Sequence, residues 1–282
     1  MFHLEDTHVL STYLTDVQFS IVYNMLSLGI ASMLFTAIFL WVARDRVLPK
    51  YRLAVMVSAT VTSIAAYHYF RMFDSFHTAY GVVPGVPVGS DIAGGLGFAH
   101  YNVGYRYVDW FLTVPLLLVE LVAVLGLARA VQSSLLKRLV PAAALMIILG
   151  YPGDLKLNIF GIDATTSTGA GIWGALSTIP FLYILYVLWV ELTKSLASQS
   201  EKVRKLFTGL RLLLIATWGV YPITFIMAMG NPIPSASDVV AREVGYSIAD
   251  ILAKCLFGLI IFSIARIKSA EDDKNFASQE GH

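Results

Sequence analysis

Six ionisable residues, His68, Arg106, Asp109, Glu120, Asp250 and Lys254, fall inside long apolar runs of the chain. At membrane depth each costs roughly 2.5–3.5 kcal/mol on insertion scales, so each asks for a partner or a job. Asp250 and Lys254 are four residues apart and share one face of a helix, as an ion pair would. Apolar neighbours on Lys254 favour the free amine, and a free amine condenses with an aldehyde to an imine. Arg106, Asp109, Thr113 and Glu120 follow at offsets of three, seven and fourteen from the first, which makes one helical stripe polar from end to end. By helix rise Asp109 and Glu120 stand about 16 Å apart, one on each side of the midplane. His68 could tune a carboxylate beside it. Singly, a buried Lys–Asp pair reads as a structural salt bridge and an intramembrane histidine as a helix-to-helix hydrogen bond. Together, a buried amine, two carboxylates for its cation, an arginine on one side and a third carboxylate on the other describe a proton path with a direction.

The elements that must position these groups are membrane helices. Of 282 residues, 57% are hydrophobic and 14% charged, with mean hydropathy +0.69, which excludes an ordinary soluble domain. Apolar runs predict helices near 17–43, 52–73, 104–127, 134–152, 170–198, 204–229 and 238–268, each long enough to cross about 30 Å of hydrocarbon. The alternation a β-barrel needs is absent, so the expected fold is an all-α membrane protein, a bundle of seven transmembrane helices. In the long second connection, Gly81 to Gly89 alternates Gly, Pro and Val and suggests a short strand within a loop.

Basic residues gather on one side: Arg44, Arg46, Lys50 and Arg52, then Arg129, Lys137 and Arg138, then Lys194, Lys202, Arg204 and Lys205, then Arg266 and Lys268. The opposite side holds Asp91, Asp154, Asp163, Asp238 and an acidic N-terminus, so the N-terminus is expected outside and the C-terminus inside. The domain reading is an extracellular segment 1–16, a seven-helix domain 17–268 and a disordered cytoplasmic tail 269–282. Residues 1–16 lack the positive region of a signal peptide, so the first span is expected to stay. The lone Cys255 leaves no internal disulfide and no thiolate cluster for a metal. A net charge of +1 without a basic, aromatic-interleaved patch gives no reason to expect nucleic acid as a partner.

At these residues the sequence resembles the microbial rhodopsins, and most closely the proteorhodopsin and xanthorhodopsin branch of light-driven proton pumps. The resemblance is carried by Tyr105 to Leu117 (YRYVDWFLTVPLL) and Val244 to Lys254 (VGYSIADILAK). It extends to Tyr67 to Arg71, Gly150 to Gly153, Ser177 to Pro180 and Trp218 to Pro222. It implies that Lys254 carries all-trans retinal as a protonated Schiff base, that Asp109 is the counterion and proton acceptor, and that Asp250 is the second counterion. It makes Glu120 the cytoplasmic proton donor, Arg106 the residue controlling proton release, and His68 a hydrogen-bond partner of Asp109. Asp109, Thr113 and Glu120 match the family's proton-pump triplet, which disfavours sodium or chloride as the cargo. Trp110, Leu117, Met146, Gly150, Trp218, Tyr221, Pro222 and Tyr246 match retinal-pocket positions, and Leu117 implies green absorption. Gly174 matches the glycine of carotenoid-binding members; it marks either a window for a hydroxylated carotenoid antenna or only a close helix approach. The implied function is outward proton transport rather than enzymatic turnover, in the plasma membrane of a prokaryote and usually as a homo-oligomer. Two alternatives stay open: a sensory rhodopsin signalling to a membrane partner, and a retinal-free seven-helix transporter or receptor.

Overall fold

The computed structural model describes residues 14–80, 101–229 and 235–279. The strand suggested at Gly81 to Gly89, the acid Asp91 and most of the segment before the first helix lie outside them.

Among the described residues, seven helices are long and apolar enough to cross a membrane. The first, Asp16–Ala43, starts in a capping box in which Thr15 and Gln18 satisfy each other's backbone amides. The second, Pro49–Tyr80, opens on a proline whose missing N–H costs nothing in a first turn. It runs seven residues past the expected end at 73, and its far turns bring Phe76 and Tyr80 against Tyr101. The third and fourth are Gly104–Val124 and Arg129–Asp154. Between the fourth and fifth, a two-residue hairpin not foreseen from the sequence pairs Asn158 with Asp163 and Ile159 with Ile162. Phe160 and Gly161 turn it with φ of 53° and 77°, the left-handed pair that a tight hairpin needs.

The fifth helix, Ser167–Tyr186, is capped by Thr166 and continues through a π turn, Val187–Glu191, to Leu192–Leu196. The sixth, Glu201–Trp218, is capped by Ser200 and resumes after Gly219 as Val220–Met229. The seventh begins at Ala236 under a Ser235–Asp238 capping box, passes through a π turn at Ile251–Leu256, and runs from Phe257 to Asp272.

The tail expected to be disordered from 269 is helical to Asp272 and again over Lys274–Gln279. Ser269 and Asp272 are the reason: the Ser269 hydroxyl accepts from the Leu48 amide, and Asp272 accepts from Tyr51 at 2.5 Å and pairs with Lys50 at 2.7 Å. The polar run reads as solvated because its partners lie more than two hundred residues away in the chain.

Sequential helices pack against one another and the seventh closes the bundle against the first, second, third and sixth. The apolar windows of the third and seventh are 67% and 61% buried, against 22% for the fourth, so those two form the axis on which the ionisable groups converge. Much of the remaining apolar surface, such as Phe35, Ile179, Ile223 and Met227, faces outward as a lipid-contacting surface must.

Candidate functional site: a buried amine between two carboxylates

Lys254 is buried at the centre of the bundle within the π turn. In that turn the Phe257 amide reaches back to the carbonyl of Leu252, five residues earlier, so the helix carries one residue more than an α-helix would at this point. The Lys254 Nζ donates to Asp250 Oδ1 at 2.6 Å and lies 3.0 Å from Asp109 Oδ2. Third and seventh helices thus supply one carboxylate each.

The two carboxylates are held differently. Asp250 accepts four hydrogen bonds: on Oδ1 from Lys254, from Tyr221 at 2.6 Å and from Trp110 Nε1 at 3.3 Å, and on Oδ2 from Tyr69 at 2.9 Å. Neither oxygen of Asp109 has an aligned hydrogen-bond donor among the described residues, so its contact with Lys254 is electrostatic. Asp250 is a saturated anion, whereas Asp109 keeps lone pairs free to receive a proton.

His68 stands differently from expectation. Its Nδ1 is 3.8 Å from Asp109 Oδ1, too far for a hydrogen bond, and faces the Ile64 carbonyl at 3.0 Å. A carbonyl can only accept, so Nδ1 carries the proton and the ring's turn-forming bond competes with one to Asp109. Thr113, one turn from Asp109, donates to the Asp109 backbone carbonyl at 2.8 Å rather than to its carboxylate.

Toward the basic end of the bundle, Glu120 is fully buried, and among the described residues its one hydrogen-bond partner is the Ser58 hydroxyl of the second helix. Toward the opposite end, Arg106 pairs with Glu243 of the seventh helix and lies 5.0 Å from the centre of the Tyr246 ring. Tyr101 also donates to Glu243 at 2.8 Å. Tyr101 precedes the third helix; burial first, and the Glu243 carboxylate next, push its phenol up, so it remains a donor. Among the described residues Arg106 Nε and Nη1, Glu243 Oε1 and Ser247 Oγ are buried without a hydrogen bond, with Arg242 Nε 3.5 Å from Glu243 Oε1, a cluster of polar atoms that water would satisfy.

A cavity of about 280 Å³ is lined by Lys254 and Asp250 together with Trp110, Leu117, Met146, Gly150, Trp218, Tyr221 and Pro222. Tyr246, expected among them, does not line it: the ring packs behind Trp110 and Tyr221, with centroids 5.5 and 5.3 Å away. Tyr107, Phe181 and Phe225 line the cavity and were not anticipated. A mostly apolar, aromatic-walled cavity with a primary amine in its lining fits an apolar aldehyde.

The chain matches the model of the bacteriorhodopsin-like protein family over residues 21–268. It belongs to that family. A green-light absorbing proteorhodopsin from Gamma-proteobacterium EBAC31A08 is 30% identical over 238 residues, which are 83% of this chain and 82% of the relative. Among solved structures, a thermophilic rhodopsin is 43% identical with a TM-score of 0.84, over 93% of this chain and 99% of that one. Xanthorhodopsin, described as a light-driven ion pump with dual chromophore, is 44% identical with a TM-score of 0.82, over 93% and 98%. Family and seven spans together make the protein a multi-pass membrane protein of the microbial rhodopsin type.

Sequence reasoning missed Glu243, Tyr69, Tyr101 and Ser58. For Glu243 a signal existed: it precedes Asp250 by seven residues and Lys254 by eleven, on the stripe those two define. Tyr69 adjoins His68 and carried no mark of its own. Its place depends on Gly29 of the first helix, where an added Cβ would stand 2.4 Å from the Tyr69 ring.

Proposed function

We propose that the protein is a light-driven outward proton pump, with all-trans retinal held on Lys254 as a protonated Schiff base. One observation carries the reading: of the two carboxylates beside Lys254, Asp250 is saturated by four donors and Asp109 has none aligned. When bound, retinal supplies the light absorption and the isomerisation that redirects the proton on the lysine nitrogen. The chain's residues do the rest. Asp109 takes the proton because its lone pairs are free, and Asp250 stays ionised as the fixed counter-charge. Arg106, tethered to Glu243, bounds the outward side. Glu120 sits in an apolar setting on the other side and returns a proton to the nitrogen.

The proteorhodopsin and xanthorhodopsin relatives support this reading, and so does the carboxylate at Glu120, which a sensor has no need of for turnover. Residence in the plasma membrane of a prokaryote, an outside N-terminus and assembly into a homo-oligomer belong to the same proposal. The test is to illuminate cells making the protein with retinal supplied. External acidification that a protonophore abolishes is expected. Colour without acidification would favour the sensor, movement of sodium or chloride would overturn the assigned cargo, and no mass gain from bound chromophore would remove the reading altogether.

A carotenoid antenna at Gly174 meets an obstacle. A Cβ there would lie 2.6 Å from Phe225 Cε1, so the space the glycine leaves is filled by that ring. An antenna in this place requires Phe225 to turn aside. Adding a hydroxylated carotenoid and recording the fluorescence excitation spectrum decides it, and absence of energy transfer would reject the antenna.

A further inference from the structure

Arg211, on the sixth helix, is a cation the proton path does not use. It is 7% exposed. Its Nη1 donates to the Leu188 carbonyl at 3.3 Å and to the Thr193 hydroxyl at 2.7 Å. Both acceptors come from the π turn of the fifth helix and the turn that follows it. Leu192 there reaches back five residues to Val187, and the widened backbone turns the Leu188 carbonyl toward the arginine. Among the described residues Nε is buried with no hydrogen-bond partner, and Nη2 makes no hydrogen bond yet is not sealed off as Nε is. Trp189, 42% exposed, lies over the guanidinium at 4.8 Å, with Phe207 at 5.8 Å.

A full positive charge with neutral partners, and with donors to spare, is half of a binding site. Its level identifies the other half. Thr193 lies three residues before the helix end at Leu196, about 4.5 Å by helix rise, so the guanidinium reaches the interfacial zone at the basic end of the bundle. Tryptophan favours that same zone. Below it, Leu182, Tyr186 and Leu212 are exposed, as a surface for acyl chains would be. A planar guanidinium with free N–H groups suits phosphate oxygens.

We propose that Arg211, Thr193 and Trp189 seat the phosphate of an anionic phospholipid between the fifth and sixth helices. Zwitterionic headgroups are poorer occupants, because their own cation would stand beside the arginine.

The experiment uses the full chain in phosphatidylcholine vesicles, titrated with brominated phosphatidylglycerol or brominated phosphatidylcholine. Tryptophan quenching is recorded, and a W189F variant isolates the Trp189 signal from the other four tryptophans. Trp189 should be quenched by the anionic lipid at about fivefold lower mole fraction, the factor that about 1 kcal/mol per basic residue near an anionic surface gives. The preference should vanish in R211Q and persist in R211K. Should R211Q not fold, judged by helical circular dichroism, T193A removes the hydroxyl anchoring Nη1 and should weaken the preference in the same sense. Equal quenching by the two lipids, or a preference unchanged in R211Q, would overturn the proposal. Displacement of the lipid by millimolar inorganic phosphate would show a free-anion site and overturn the lipid assignment.

Discussion

Asp109 stands 3.0 Å from Lys254 Nζ without an aligned hydrogen bond, while Asp250, on the other side of the same nitrogen, is fully bonded. Charge alone makes the two carboxylates equivalent; hydrogen bonding separates them, as the proposed acceptor and the proposed permanent anion. Asp109→Asn should therefore abolish light-driven acidification and shift visible absorption to the red, with the pigment retained. Cell-suspension pH and an absorption spectrum are the measurements, and persistent acidification would contradict the assignment.

Asp250→Ala should act mainly on stability. It strands Tyr69, Tyr221 and Trp110 donors in the interior and removes one of two counter-charges from a buried ammonium, a change that costs about 3–5 kcal/mol when a buried pair is broken. Thermal denaturation in detergent should show a clearly lower midpoint than for Asp109→Asn. Equal midpoints would mean that the four bonds to Asp250 contribute little.

Glu120 rests on Ser58 alone. Glu120→Gln should slow recovery of the photocycle by removing the proton it returns. Ser58→Ala should slow it as well, by about tenfold, the rate equivalent of the roughly 1.5 kcal/mol at the lower end for a hydrogen bond to a charged group. The carboxylate left after proton delivery would then have no donor. Flash photolysis resolves both effects; an unchanged recovery in Glu120→Gln would refute the donor role.

Gly29 controls Asp250 at second hand. With a methyl group 2.4 Å from the Tyr69 ring, Gly29→Ala forces the ring or the first helix to move, at about 1–3 kcal/mol for overpacking. Lower thermal stability and a shifted absorption band should follow together. Tyr69→Phe separates the causes: it should reproduce the spectral shift with a smaller stability loss.

At the acidic end, Glu243→Gln leaves Arg106 buried against a neutral partner and should destabilise the fold by about 3–5 kcal/mol. Tyr101 gives a pH readout of the same contact. Its phenol is raised by burial and by Glu243, so it stays protonated as pH climbs past the usual tyrosine range. Below the unfolding pH, ultraviolet difference titration should therefore find the same number of ionising tyrosines in the wild type and in Tyr101→Phe, and Glu243→Gln should bring Tyr101 ionisation to lower pH.

The path along each helix could be read from the chain; the contacts between helices could not. Arg106, Asp109 and Glu120 share a stripe because helical period is local, and Asp250 and Lys254 share one for the same reason. The seven spans follow from hydropathy, although the second outruns its apolar stretch to Tyr80 because Phe76 and Tyr80 find aromatic partners beyond it. What period cannot give is the register of one helix against another: that Ser58 meets Glu120, that Tyr69 reaches Asp250 past Gly29, or that His68 turns to its own backbone. Glu243 was visible by spacing, seven residues before Asp250. The hairpin at Asn158–Asp163 is too short to show alternation, and it rests on Phe160 adopting a conformation the side chain disfavours.

The surplus residue in the turn Ile251–Leu256 has a consequence for how the last helix should be handled. One extra residue advances the helical phase by about 100°, so the halves before Asp250 and after Phe257 obey separate wheels, and no single wheel drawn through both describes which side chains point inward. Lys254 sits at the seam. Chimaeras joining this helix to a relative's should therefore be cut outside the seam, and deleting Ala253 would remove the surplus and return the turn to regular α-helix, leaving both halves on their faces while shifting Lys254 itself.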